Sequence, residues 1–203
     1  MRLGDVGKFY GGLSGKSKSD FTNGNETFIS YMNVYSHNEV VIDTDDKVRI
    51  GEKEKQNTVQ YGDVLFTGSS ESREECGLSS VVTTRTDKKL YLNSFCFGYR
   101  FDEPNDFFPG FTKHLFRSSE LRGQIIRTAN GVTRFNVSKK KMESITISVP
   151  SLEKQKKIAR VLDQFDALCH DLTAGLPAEI AGRQRQYGYY RDKLLSFAEK
   201  GSQ

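Results

Sequence analysis

Two hydrophobic periodicities divide the chain at Pro150. Before it, apolar residues come in short bursts rich in β-branched and aromatic side chains, separated by Gly, Asn, Asp and Ser, the pattern of strands and turns. The bursts are Thr27 to Met32, Val40 to Ile42, Asp63 to Thr67, Ser79 to Thr84, Tyr91 to Leu92 and Phe95 to Phe101. The opening Met1-Arg2-Leu3-Gly4-Asp5 also leads into strand-like sequence. Between Asp106 and Ala129 the rhythm changes. Phe108, Phe111 and Leu115, then Leu121, Ile125 and Ala129, recur at helical intervals and predict two short helices, the second capped by Ser118 or Ser119. After an Asn130-Gly131 turn come a strand at Phe135 to Val137 and a last strand over Ser144 to Val149, where Ile145, Ile147 and Val149 alternate with polar residues. This half reads as α+β.

From Ser151, a natural N-cap, the spacing is that of a coiled-coil seam: Ile158, Leu162, Phe165, Cys169, Leu172 and Leu176 follow one another by 4-3-4-3-4. A second run, Ile180, Tyr187, Tyr190, Leu194 and Phe197, keeps heptad spacing with Arg183 at the polar seam position. The phase slips between them at Gly175-Leu176-Pro177, where Pro177 cannot donate to the carbonyl of Thr173, and a break or kink is expected. Each arm of roughly 22 residues spans about 33 Å. A seam that long calls for a partner helix from another chain or domain; the alternative is that the two arms fold back on each other as a private hairpin. The chain therefore divides into residues 1–150, a globular mixed α/β domain, and residues 151–203, long coiled-coil-like helices, which the family resemblance given below implies are a spacer and dimerisation region.

Composition narrows the function. At 203 residues the chain suits one substantial core plus an extended appendage, and not a multidomain enzyme. A net charge of +4 is too mild to declare nucleic-acid binding, but its distribution is uneven. From Phe111 to Lys141 the basic residues Lys113, Arg117, Arg122, Arg127, Arg134, Lys139, Lys140 and Lys141 face a single acid, Glu120, while from Glu39 to Glu75 acids outnumber bases. A concentrated basic surface suits a phosphate backbone, although a charge run seen alone is more often a solvated helix face. The neighbouring loop tips the balance, because Asn130, Thr133 and Arg134 can read base edges as well as phosphates. Three cysteines without C-x-x-C spacing suggest neither a disulfide framework nor a zinc ribbon. With no apolar signal core and no span of about 18 apolar residues, the expectation is a soluble, cytoplasmic protein with no membrane partner.

Catalytic templates fail. The stretch Gly11 to Ser17 resembles a P-loop, yet Tyr10 stands where its leading glycine belongs; the better reading is a flexible glycine loop presenting Lys16, Ser17 and Lys18 to DNA. Asp43, Asp45 and Asp46 lie in a turn-like stretch without a partner carboxylate, and His37, His114 and His170 lack metal-ligand spacing. No adenine-methyltransferase motif and no glycine-rich nucleotide fingerprint is present. The expectation is no catalytic residue, no metal site and no cofactor in this chain.

Four segments carry a family resemblance. They are Gly62-Asp63-Val64-Leu65-Phe66-Thr67, the run Gly131 to Lys139, the junction Ile145 to Ala159, and the tail that joins Gly175 to Ile180 with Gln186 to Phe197. Together they resemble the specificity (S) subunit of type I restriction-modification enzymes, over nearly the whole chain. The family commonly has Glu-Gln in the junction where Lys154-Gln155 stands here. The resemblance implies sequence-specific binding of double-stranded DNA by a target-recognition domain, with adenine methylation and cleavage directed to partner subunits. Those partners, a methyltransferase subunit and, through the complex, a restriction subunit, would carry S-adenosylmethionine, ATP and Mg. A family member usually has two recognition domains, so a chain with one is a fragment or a half subunit that forms a homodimer. The candidate DNA contacts are Lys16, Ser17, Lys18, Ser69, Ser70, Arg73, Asn130, Thr133, Arg134 and Lys139. The candidate dimer or subunit interface is Ile158, Leu162, Phe165, Leu172, Leu176, Tyr187, Tyr190 and Leu194. Competing readings are a structural coiled-coil adaptor and a fragment of a single-chain methyltransferase or nuclease.

Overall fold

The computed structural model describes residues 1–171 and 177–196. In chain order the first elements are α1 (Leu3–Val6), β1 (Gly7–Gly11), a 3-10 turn (Lys18–Phe21), β2 (Glu26–Ile29) and α2 (Tyr31–Ser36). Short strands follow: β3 (Lys47–Val48), β4 (Thr58–Val59), β5 (Val64–Thr67), β6 (Ser69–Ser70), β7 (Ser79–Val81), β8 (Leu90–Leu92) and β9 (Cys96–Phe101). After a second 3-10 turn (Pro104–Asp106) come α3 (Pro109–Leu115), α4 (Ser119–Thr128), β10 (Ala129–Asn130), β11 (Phe135–Val137) and α5 (Lys139–Met142). Two long helices, α6 (Leu152–Asp171) and α7 (Pro177–Leu195), close the described chain. The fold is thus α+β, with a mixed globule followed by long helices.

Among the described residues the strands form three sheets, ordered β1-β9-β5-β7, β3-β2-β8-β4 and β10-β11-β6. The first is antiparallel throughout, and the second contains one parallel pair, β2 with β8. β5 explains why Asp63 to Thr67 reads as an unbroken apolar run. Val64 and Phe66 face a core shared with α3, α4 and α6, while Leu65 faces a second core with Ile29, Leu90 and Leu92, so the strand is buried on both faces.

Several expectations need correction. The segment after Met1 is the short helix α1, and strand geometry begins only at Gly7. The burst Thr27 to Met32 ends as a strand at Ile29, because Ser30 turns the chain and its hydroxyl accepts the Asn33 amide, capping α2. Val40 to Ile42 is no strand; one bridge joins Glu39 to Val81. Ser144 still belongs to the turn after α5, and 145–149 forms no ladder beyond one bridge from Thr146 to Arg2: Leu3 N donates to Ile145 O and Ile147 N to Met1 O, while Ile145 and Ile147 turn inward as the alternation requires. Ser118, not Ser119, caps α4, its hydroxyl accepting the Leu121 amide.

The junction residues fasten α6 to the globule. Gln155 is buried at the helix start; its Oε1 accepts the Phe108 amide at 2.8 Å, and its Nε2 donates to Asp106 O and Pro150 O. One turn and two turns further, Ala159 and Leu162 enter the main core. The two long helices pack together, with Phe165 stacked on Tyr190 at 5.7 Å. The expected break at Gly175 to Pro177 falls mostly on 172–176, outside the described residues.

Candidate nucleic-acid interface

Three segments far apart in sequence meet on one face. Gly68 is their meeting point: its amide donates to Phe95 O at 2.7 Å, and its carbonyl accepts the Val137 amide at 2.9 Å. A Cβ on Gly68 would sit 2.7 Å from Phe95 O, so this close approach requires glycine. Immediately after it, β6 pairs with β11, aligning Phe135 with Ser70 and Asn136 with Ser69. The Asn130-Gly131 turn closes the β10–β11 hairpin, with Gly131 at φ 130, a value open to glycine and strained for other residues. Asn130, Thr133 and Arg134 on this hairpin are exposed, as are Arg73 and Lys139 beside it. Ser69 and Ser70 are buried; the Ser69 hydroxyl accepts Arg134 Nε at 3.2 Å, and the Ser69 carbonyl accepts the Tyr31 hydroxyl.

Arg134 is therefore held by one edge. Among the described residues no protein acceptor takes its two terminal nitrogens, and its guanidinium lies 5.8 Å from the Phe95 ring centroid. Lys139 stands 6.0 Å from the Phe97 ring, and Lys141 donates to Asn130 Oδ1 at 2.9 Å. Arg127 and Lys140 are exposed, and Arg127 and Lys141 line a shallow cavity with Gln124, Thr128 and Ser144. This arrangement offers a guanidinium fork, an amide and several ammonium groups to a polyanion.

The basic run read from sequence is not all surface. Arg117 turns inward and donates to the carbonyls of Ser79 and His37, and burial together with neighbouring Arg122 pushes its pKa down to about 10. Arg122 donates to the carbonyls of Gly77, Glu74 and Cys76, stitching the 71–77 loop to α4. Lys113 pairs with Glu39 and Asp163, both at 2.9 Å. These three cations hold the fold, and their carbonyl and carboxylate partners lie too far off in sequence for spacing to show them.

The glycine loop is pinned rather than flexible. Gly12 and Leu13 donate to Cys96 O and Leu92 O, and Gly12 packs against the Asn93 carbonyl with no room for a Cβ. Lys16 is withdrawn: its ammonium meets Glu54 at 2.6 Å and Arg49 O, and together with the Gly51 amide and Gln56 it holds Glu54 at a pKa of about 2. Ser17 and Asp20 form a reciprocal capping box on the first 3-10 turn. That leaves Lys18 as the exposed cation of this loop, while Lys16 has an internal partner.

The helical candidates divide similarly. Leu162 is fully buried in the chain's own core, Ile158, Tyr187 and Leu194 pack against that core, and Phe165 faces Tyr190. This part of the seam thus meets this chain's globule and its own second arm. Leu172 and Leu176 lie outside the described residues. Tyr187 reaches His114 Nδ1 at 3.0 Å, His114 Nε2 reaches Asp163 at 2.8 Å, and Asp192 accepts from the Ser119 amide and hydroxyl at the start of α4. Among the described residues, the large apolar side chains that α6 and α7 leave exposed are Leu152, Val161, Leu168, Tyr189 and Tyr190.

Among the described residues no group of three or more His, Cys, Asp or Glu is placed to hold a metal ion, and no helix is long and apolar enough to cross a membrane. Cys76, Cys96 and Cys169 are free.

Comparison with known proteins gives one answer. A family profile described as type I restriction modification DNA specificity domain matches residues 1–181. The specificity subunit of the Escherichia coli EcoR124I/EcoR124II type I restriction enzyme is 42% identical over 88 residues, which are 42% of this chain and 22% of that protein. A putative type I restriction enzyme specificity subunit of Haemophilus influenzae is 27% identical over 135 residues, 66% of this chain and 29% of its own length. Among solved structures, the HsdS subunit from Thermoanaerobacter tengcongensis superposes with a TM-score of 0.56 at 19% identity, covering 96% of this chain and 44% of that one. The type I S subunit from M. genitalium gives 0.56 at 15%, covering 86% and 40%. The matches thus span less than half of each of these relatives and solved chains.

Proposed function

The chain belongs to the type I restriction modification DNA specificity domain family, and from that premise we propose that it recognises a DNA sequence on behalf of a type I restriction-modification enzyme. The observation that supports this most directly is the face built by Ser69, Phe95, Asn130, Thr133, Arg134 and Lys139, on which a partly unpaired guanidinium stands beside exposed lysines. Lys18 and Arg73 are exposed cations on other loops of the globule, while Lys16, Ser17, Ser69 and Ser70 position backbone or side chains without reaching out themselves. Phosphate contacts by the lysines fix the register, and Arg134 with Asn130 and Thr133 reads base edges.

Specificity subunits of this kind are generally non-catalytic, so methyl transfer and cleavage belong to partner subunits that bring S-adenosylmethionine, ATP and Mg. The exposed strip Val161, Leu168, Tyr189 and Tyr190 is the surface offered to a methyltransferase subunit or to a second copy of the chain. Residues 1–150 would form the recognition domain and 151–203 the helical spacer, acting in the cytoplasm where the cell's DNA lies. The test is selection from a randomised duplex pool, followed by titration in salt. A recovered common sequence, with affinity falling steeply as salt rises, supports the reading; the absence of any enriched sequence contradicts it.

A further inference from the structure

Phe95 is an aromatic side chain that the packing does not account for. Its ring is 60% exposed, yet its backbone is held on every side. The Phe95 amide donates to Asn93 Oδ1 at 2.9 Å, its carbonyl accepts the Gly68 amide at 2.7 Å, and the Cys96 amide closes the turn onto Asn93 O at 3.0 Å. Asn93 itself donates to Ile29 O, tying the turn to β2. From this anchored turn the ring stands beside the Arg134 guanidinium, whose Nε is held by Ser69. An apolar disc and a guanidinium fork are thus displayed side by side by two independently anchored segments.

In the major groove these two chemistries have distinct targets. A guanidinium fork pairs with O6 and N7 of guanine, and an apolar side chain contacts the 5-methyl group of thymine. Resting on the DNA-recognition reading above, we infer that Phe95 is a specificity-determining residue that packs against a thymine 5-methyl on the base pair adjoining the guanine read by Arg134. The cation against the ring face keeps the two side chains in register, since displacing either forfeits their mutual attraction. The hydrogen-bonded turn holds the backbone that carries the ring before DNA arrives, the preorganisation a methyl contact needs to select one base.

The experiment uses the full chain and the duplex recovered by pool selection. Each thymine of the selected site is replaced in turn by deoxyuridine, which removes only the 5-methyl group, and binding is measured for the unsubstituted chain and for Phe95→Ala. Phe95→Ala is checked for folding by circular dichroism; an exposed ring is not needed for the fold. One replacement, next to a guanine, should weaken the unsubstituted chain by about fourfold, the factor that burial of one methyl group corresponds to. The same replacement should leave Phe95→Ala unaffected. If every deoxyuridine duplex binds both proteins alike, or if Phe95→Ala loses affinity equally for thymine and uracil, the methyl contact is refuted while sequence recognition stands. If selection enriches no duplex, the recognition reading falls and this assignment with it.

Discussion

Asp63 is the most thoroughly partnered acid described. Its carboxylate is 1% exposed and accepts from the Tyr10 hydroxyl at 2.6 Å, the Gln60 amide at 2.7 Å and Arg100 at 2.8 and 2.7 Å. The Gly62-Asp63 pair that marks the family resemblance is therefore a structural device. Gly62, at φ 88, turns the chain so that Asp63 can tie β1, β5 and β9 together. Arg100 is about a third exposed, so the two partners are unequal. Arg100→Met strands a buried carboxylate and should cost about 3–5 kcal/mol; Asp63→Asn leaves a cation that still reaches water and should cost less, as urea denaturation will show. Equal losses would mean that the pair is not buried as described. Arg134 and Asp63 illustrate what sequence can reveal at this scale. Arg134, in the loop after Asn130-Gly131, stands out as a candidate by residue type and is exposed, whereas the inward Arg117 and Arg122 look identical in sequence and differ only in which carbonyls the fold brings to them.

The helical elements show the same division between pattern and placement. Heptad spacing correctly predicted two long helices, because periodicity depends on residues three and four apart. It could not say what covers the seam, since Leu162 shares its core with residues such as Phe111 and Leu195 that are distant in sequence. Short strands fared worse: in Thr27 to Met32 a local Ser30 cap overrides β-propensity, and in Ser144 to Val149 alternation reports which side is buried, not whether a ladder forms. Docking of α6 rests partly on Gln155, whose three hydrogen bonds are buried. Gln155→Leu strands the Phe108 amide and two carbonyls, and should lower stability by about 2–4 kcal/mol, read by thermal or urea unfolding. It also rests on Asp163: burial raises its pKa, but hydrogen bonds from His114 and Lys113 outweigh this and hold it below the usual aspartate value. A lowered folded pKa means that the stabilisation is complete above about pH 4, the unfolded value, and is lost as pH falls through the folded one. Thermal unfolding of the unsubstituted chain should therefore decline more steeply below pH 4 than that of Asp163→Asn. Parallel pH profiles would remove Asp163 from the docking.

At the scale of the molecule, two anchored loops and one hairpin bring the candidate residues to one face of a mixed globule, and α6 packs against the same globule and against α7. Composition placed a basic run between Phe111 and Lys141, but only folding sorted it into Arg127, Arg134, Lys139 and Lys140 outside and Lys113, Arg117 and Arg122 inside. Phe95 carried no sequence signal of its own, because an aromatic residue at a strand edge ordinarily belongs to the core. The central claim is that the face around Arg134 reads base sequence. Competition binding tests it most directly: the selected duplex and a scrambled one are titrated against the unsubstituted chain, Arg134→Ala, and Arg127→Ala as a phosphate-type control. Arg134→Ala should lose about 1–3 kcal/mol on the selected duplex and little on the scrambled one, while Arg127→Ala weakens both alike. Equal loss on both duplexes for Arg134→Ala, or no loss on either, would contradict the account.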